Sequence, residues 1–190
     1  MGTIVGIGEI SKGNKVIFDG APWLVVEVNF VKPGKGNAFY KTRVQNLLTR
    51  NTLEKTIRGG EKVEMADVAD VEMQYMYRDA NGYAFMDQVS YEQVTVSNAA
   101  VGDDKDFLLE NMMVNVTLWN NEPIALRLPN TVHMEIDYTE PAIKGDTQSR
   151  VMKPAKLKGT GAEIPVPIFC AIGDKIAINT QTREYSGRVK

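Results

Sequence analysis

The sequence predicts an all-β protein made of three small barrel-like units. Three observations carry this reading. Apolar and polar residues alternate with a period of two through most structured stretches, turn signals such as Asp19-Gly20, Asn81-Gly82 and Asn120-Asn121 recur along the chain, and the charge changes sign twice. A period of two is the pattern of a strand with one face in a core, and many short strands between tight turns close more readily into barrels than into one large sandwich. Residues 1–65 hold ten Lys/Arg against six Asp/Glu, net +4. Residues 66–128 hold three against eleven, net −8, and residues 129–190 hold nine against seven, net +2. Units of about 60 residues are marginal alone, so each needs a tightly closed core.

The first hairpin pairs Lys15 to Phe18 with Trp23 to Val28 across Asp19-Gly20, a dipeptide that tolerates the positive φ angles of a two-residue turn. Two longer strands, Trp23 to Lys32 and Ala38 to Leu47, flank the stretch Pro33-Gly34-Lys35-Gly36-Asn37. In the second of them Phe39, Lys41, Arg43 and Gln45 alternate with Ala38, Tyr40, Thr42 and Val44, which puts two basic side chains on one face. Leu53 to Ile57 is a further strand, ended by Arg58-Gly59-Gly60. The second unit begins near Ala66, where Val71, Met73, Tyr75 and Tyr77 alternate with Glu72, Gln74, Met76 and Arg78 before Asn81-Gly82 turns the chain into Tyr83 to Met86. Asp103 to Asn111 reads as the one short helix, with acids in its first turn. Met113 to Trp119 and Ile124 to Leu128 form a hairpin about Asn120-Asn121. The third unit opens with Thr131 to Ile136, runs through a polar loop from Lys144 to Lys158, and closes with strands at Ile164 to Phe169 and Lys175 to Asn179.

Composition bounds the function. The chain is 43% hydrophobic and 24% charged, the balance of a folded soluble protein. No apolar run is long enough to span a bilayer, and Met1-Gly2-Thr3-Ile4 does not open a secretory signal, so no membrane partner and a cytoplasmic location are expected. The single cysteine, Cys170, forbids an internal disulfide and lies in an apolar run, as a small core residue would. Basic ends around an acidic centre suit a molecule whose ends meet phosphates while its middle stays off them, and a merely solvated acidic domain fits as well.

Constellations for bond-making chemistry are missing. His133 is the only histidine and stands in an alternating strand with no metal-ligand spacing around it, so a surface or half-buried place is expected. No nucleophile elbow, zinc-protease pair or dinucleotide fingerprint appears. Trp23 and Trp119 both fall in apolar hairpin strands and are expected in cores rather than stacked on bases. What stands out is Lys35, held between Gly34 and Gly36 at a hairpin tip, with Pro33 fixing the backbone before it, although on these residues alone an ordinary solvated turn fits as well. A phosphate-binding P-loop is excluded because no glycine lies five residues before Gly34 and a strand rather than a helix follows.

Val31-Lys32-Pro33-Gly34-Lys35-Gly36-Asn37-Ala38-Phe39 resembles the loop that marks the bacterial elongation factor P family. The resemblance continues in order through Arg43 to Leu47, Tyr83-x-Phe85-Met86-Asp87, Leu128 to Val132, Lys144 to Thr147 and Lys153-Pro154-Ala155. Val166-Pro167, Gly173 to Ile176 and Glu184-Tyr185-x-x-Arg188 complete it. Two places depart from the family pattern: Leu157 to Gly161 is one residue longer, and Arg150-Val151-Met152 is bulkier. The resemblance implies an SH3-like (KOW-type) barrel over 1–65 that carries the Lys35 loop, an acidic OB-fold over 66–128 and a second OB-fold over 129–190, together an L-shaped, tRNA-like monomer. It further implies a translation factor, not an enzyme, with no cofactor or metal, that binds the 70S ribosome between the peptidyl- and exit-tRNA sites and relieves stalling at consecutive prolines. Lys35 would be extended by a dedicated lysine-modifying enzyme and reach the peptidyl-transferase centre beside peptidyl-tRNA. Lys32 would touch phosphate there, and Pro33, Gly34, Gly36 and Asn37 would shape the loop. Gly145, Asp146 and Thr147 would lie near messenger RNA, with Tyr185 and Arg188 in a second ribosome-facing motif. On residues alone, a free-standing RNA-binding barrel protein and a small β-rich enzyme stay open, as does a paralogue of the factor, whose loop usually lacks Pro-Gly-Lys-Gly.

Overall fold

The computed structural model describes residues 3–141 and 151–189. Those residues form sixteen strands, one short α-helix and two 3-10 segments, arranged in one six-stranded and two five-stranded antiparallel sheets.

The first sheet has the order β1 (Ile4–Gly6), β6 (Lys62–Met65), β2 (Lys15–Phe18), β3 (Ala21–Val31), β4 (Phe39–Asn46) and β5 (Thr52–Arg58). Asp19 and Gly20 both have positive φ, 53° and 76°, as the tight turn between β2 and β3 requires. Ile7, Ile10, Val16, Trp23, Val25, Val44, Ile57 and Val63 form the core. Trp23 buries its ring there while its Nε1–H donates to the Phe18 carbonyl at 3.1 Å, so the one polar atom of the side chain keeps a partner. Along β4 the expected alternation is present: Thr42, Val44 and Asn46 are buried, and Lys41 and Arg43 are exposed.

The second sheet has the order β11 (Glu122–Arg127), β10 (Met113–Trp119), β7 (Val68–Arg78), β8 (Tyr83–Asp87) and β9 (Gln93–Val96). The third has the order β14 (Glu163–Pro167), β13 (Met152–Leu157), β12 (Thr131–Thr139), β15 (Lys175–Asn179) and β16 (Glu184–Arg188). The two share one topology: the first strand in sequence is central, the second and third extend to one side, and the fourth and fifth to the other. In the third sheet β14 also contacts β16, which closes the strands into a barrel. Each central strand carries a β-bulge, between Tyr75 and Tyr77 in β7 and between Ile136 and Tyr138 in β12. A bulge resets the alternation, which is why Tyr77 is exposed although Met73 and Tyr75 on the same sequence phase are buried.

The chain divides into two compact units, residues 1–71 with 116–125 and residues 72–115 with 126–190, so the division runs through the middle sheet.

Three expectations need correction. The helix expected over Asp103 to Asn111 is instead α1 at Asn98–Val101 followed by a 3-10 segment at Gly102–Phe107. Ser97 starts α1 by accepting from the Ala100 N–H at 3.2 Å, Gly102 with φ 54° ends it, and Leu108 is already extended. The loop expected from Lys144 to Lys158 contains a full strand, β13; residues 142–150 lie outside the described residues. Pro154 disguised it, yet Pro154 pairs with Pro165, a ladder position at which neither strand has to donate an N–H to the other. Trp119 is half-buried rather than in a core, on the wall of a cavity of about 440 Å³ with Thr3, Ile17, Glu64 and Asp67. It stands at the end of β10, beside the Asn120-Asn121 turn, whose residues have φ 50° and 66°.

Candidate functional site

The β3–β4 hairpin is the longest among the described residues and stays paired out to Val31 opposite Phe39, leaving Lys32 to Ala38 as its loop. The hairpin outgrows the barrel beneath it. Its inner face therefore ends in Phe30, which is 56% exposed, stacked against Tyr40 at 5.0 Å between ring centroids. Two glycines hold the base. The Gly59 N–H donates to the Ala38 carbonyl at 2.8 Å, and a Cβ on Gly59 would stand 2.9 Å from that oxygen, so only glycine lets β5 approach the loop so closely. A Cβ on Gly8 would stand 3.2 Å from the Tyr40 hydroxyl oxygen.

Within the loop the two glycines differ. Gly36 has φ 119°, a conformation that residues with a side chain rarely adopt, whereas Gly34 needs no such angle and has open space where a Cβ would go. The loop folds so that a Cβ on Gly36 would meet only the Pro33 ring, at 3.7 Å. Pro33 and Gly36 thus shape the tip, and Gly34 leaves it bare. Lys32, Lys35 and Asn37 are exposed, and Lys35 makes no hydrogen bond or ion pair with any described residue.

The charge around the tip is graded. On the outer face Lys41 lies beside Asn29 and Thr56, and Arg58 beside Phe39, with no carboxylate opposite either. One row further from the tip Arg43 lies between Glu27, whose carboxylate is 3.8 Å from its guanidinium, and Glu54. Cations near the tip therefore stand uncompensated and the one farther down is matched. Such an end can meet phosphates. Sequence reasoning found Lys41 but not Arg58 or Gly59; the Gly59-Gly60 doublet was the available signal.

In the third sheet the structure brings Tyr185 and Arg188 together on β16 with Asp174, Phe169 and Cys170. Asp174 accepts from the Ala171 N–H at 2.8 Å and from the Arg188 guanidinium; these two bonds hold its carboxyl below the ordinary range, and the bond to Asp174 raises Arg188. Arg188 also stands 5.7 Å from the centre of the Phe169 ring. Cys170 is buried, which together with Asp174 pushes its thiol up and makes it a poor nucleophile. Gly145, Asp146 and Thr147 lie outside the described residues. His133 is exposed on β12, and among the described residues no group of three or more His, Cys, Asp or Glu gathers to hold a metal ion.

Fold and loop define a class, a multi-barrel binding factor that presents a lysine and gathers no metal-holding cluster among the described residues. Solved structures of similar fold are translation initiation factors. The 5A factor of Methanococcus jannaschii is 20% identical, covers 67% of this chain and 94% of its own, and superposes with a TM-score of 0.56. A 5A-family protein of Naegleria fowleri is 16% identical over 67% of this chain and 99% of its own, with a TM-score of 0.51. Both are spent within two thirds of this chain, and at these identities the likeness is one of fold alone. Family models resolve the rest. The elongation factor P KOW-like domain matches residues 7–63, its OB domain residues 68–126 and its C-terminal domain residues 132–188. An elongation factor P of Synechococcus sp. (strain JA-2-3B'a(2-13)) is 44% identical over 185 residues, 97% of this chain and 100% of that one. The chain belongs to the elongation factor P family: it is a translation elongation factor, not an enzyme.

Proposed function

We propose that this factor binds the 70S ribosome in the cytoplasm between the peptidyl- and exit-tRNA sites and speeds peptide-bond formation at consecutive prolines. Lys35 acts at the peptidyl-transferase centre after extension by a lysine-modifying enzyme. The observation that carries the reading is the uncompensated basic tip: Lys32, Lys35, Lys41 and Arg58 on a stiff hairpin, with Lys35 bare of any described partner. Proline is a poor acceptor because its nitrogen is secondary and its φ is locked. A cationic arm that steadies the end of peptidyl-tRNA raises the rate through orientation, with no proton of its own to move. Lys32, Pro33, Gly34, Gly36 and Asn37 complete the contact loop. The chain works as a monomer of three domains, 1–65, 66–128 and 129–190, a division supported by the three sheets and the three matched spans. Gly145, Asp146 and Thr147 face messenger RNA, with Tyr185 and Arg188 in a second ribosome contact; the Asp174 pair gives Arg188 a positioning role as well.

The test is binding to purified 70S ribosomes as a function of salt. Affinity falls with rising salt because lysines and arginines displace counterions from phosphate, and Lys35→Ala still binds through the remaining cations. Salt-independent binding, or none, rules this reading out.

A further inference from the structure

Each sheet contains one six-residue hairpin turn of the same construction, at residues 46–51, 87–92 and 179–184. In each, the first side chain caps the turn. Asn46 Oδ1 accepts from the Leu48 and Thr49 N–H groups at 2.8 and 2.9 Å. Asp87 Oδ1 accepts from Val89 and Ser90 at 2.7 and 3.2 Å, and Asn179 Oδ1 from Gln181 and Thr182 at 2.9 and 3.1 Å. In each, the fifth residue donates its N–H to the first carbonyl, at 2.9, 2.9 and 2.8 Å. That fifth residue is left-handed every time: Arg50 at φ 63°, Tyr91 at 59° and Arg183 at 60°.

Glycine or asparagine suits a left-handed position, and a bulky side chain is disfavoured there. Two of the three long side chains are used within the chain. Arg183 pairs with Asp106, donates to the Asp103 carbonyl at 3.2 Å and covers the Phe107 ring at 4.8 Å. Arg50 is likewise engaged. Tyr91 is not. Its side chain is 71% exposed and has no ring, cation or hydrogen-bond partner among the described residues, and Val89, two positions earlier in the same turn, is 89% exposed. The turn that holds them is closed by the Asp87 cap and the Tyr91-to-Asp87 backbone bond, and the Val89 and Ser90 N–H groups keep the Asp87 carboxyl below its ordinary range.

We propose that Val89 and Tyr91 form a docking knob for a second protein, one whose surface offers an apolar pocket rimmed by basic side chains. A rigid tyrosine beside an exposed aliphatic side chain is the kind of anchor that dominates protein interfaces. Charge selects the partner. Asp87 and Glu92 frame the knob, Glu72 precedes the residue paired with Asp87, and residues 66–128 carry net −8, which repels a phosphate backbone and attracts a basic protein. Resting on the ribosome reading above, the inference makes that partner a ribosomal protein and not ribosomal RNA.

Two variants of the full chain test it on purified 70S ribosomes. Tyr91→Asn melts at or above the wild-type temperature, because asparagine takes the left-handed angle readily, while its Kd for ribosomes rises about tenfold or more. A benzophenone amino acid replacing Val89 crosslinks to a ribosomal protein on irradiation. A lower melting temperature for Tyr91→Asn means that the ring serves the fold and overturns the proposal. So does an unchanged Kd, a crosslink to RNA, or no crosslink while wild type binds. Wild type that fails to bind ribosomes sinks the underlying reading and this one with it, whereas normal wild-type binding with unaffected variants sinks this one alone.

Discussion

Adding one methyl group at Gly34 and at Gly36 perturbs the same loop in two different ways. Neither Cβ meets an obstacle: space is open at Gly34, and at Gly36 the nearest atom is the Pro33 ring carbon at 3.7 Å. The difference is in the backbone. Gly36 sits at φ 119°, where a residue with a side chain costs of the order of 1–3 kcal/mol, and Gly34 sits where it costs almost nothing. Gly34→Ala should therefore change stability by less than about 0.5 kcal/mol and leave the tip in place. Gly36→Ala relieves that strain by letting the tip leave its conformation, which carries Lys35 out of place; a tip that stayed put would instead show the whole cost as lost stability. Since about 1.4 kcal/mol of lost positioning energy is tenfold in rate, synthesis through a run of prolines should slow by about tenfold or more for Gly36→Ala and hardly at all for Gly34→Ala. The assay is reconstituted translation of a proline-rich message, with urea unfolding to separate stability from positioning. Equal damage from both substitutions, or none from Gly36→Ala, refutes the claim that a fixed loop geometry presents the lysine.

Three further predictions concern the scaffold. Asp106→Ala, which strips Arg183 of its ion pair between two part-exposed side chains, should cost about 1 kcal/mol by urea unfolding; no measurable loss means the contact is incidental. Asp174 has a depressed pKa in the folded chain, so its contribution to stability is complete above the ordinary carboxylate range and disappears as pH falls through the lowered folded value. Asp174→Asn should flatten that part of the acid unfolding profile, and an unchanged profile contradicts the assignment. Cys170, buried with a raised pKa, should react with a thiol reagent only after denaturant is added, and prompt labelling of native protein counts against its burial.

Strand periodicity and turn chemistry made most of the fold legible before any coordinates. Asp19-Gly20 and Asn120-Asn121 adopt the positive φ angles their residue types imply, and Lys41 and Arg43 face outward as the alternation in β4 requires. What stayed hidden depended on long-range pairing. Pro154 argues locally against a strand and is tolerated because its pairing with Pro165 falls where neither residue has to donate an N–H to the other strand. Tyr77 looks like a core residue until a bulge turns it to solvent. Acids at Asp103 and Asp104 suggest the start of a helix, yet Ser97 begins it six residues earlier. The lysine loop was legible because Pro33, Lys35 and Gly36 act through backbone geometry and exposure, which sequence encodes locally. Its support was not: Arg58 and Gly59 reach the loop through the register between β4 and β5.

The central claim is that the amine of Lys35, or its extension, carries the activity while the rest of the chain carries binding. Lys35→Ala in reconstituted translation of a consecutive-proline message tests it most directly. With no described contact to lose, the variant should melt within about 0.5 kcal/mol of wild-type stability. It should still bind ribosomes and fail to speed proline synthesis. Relief of stalling equal to that of wild type would make Lys35 an ordinary turn residue and contradict the account.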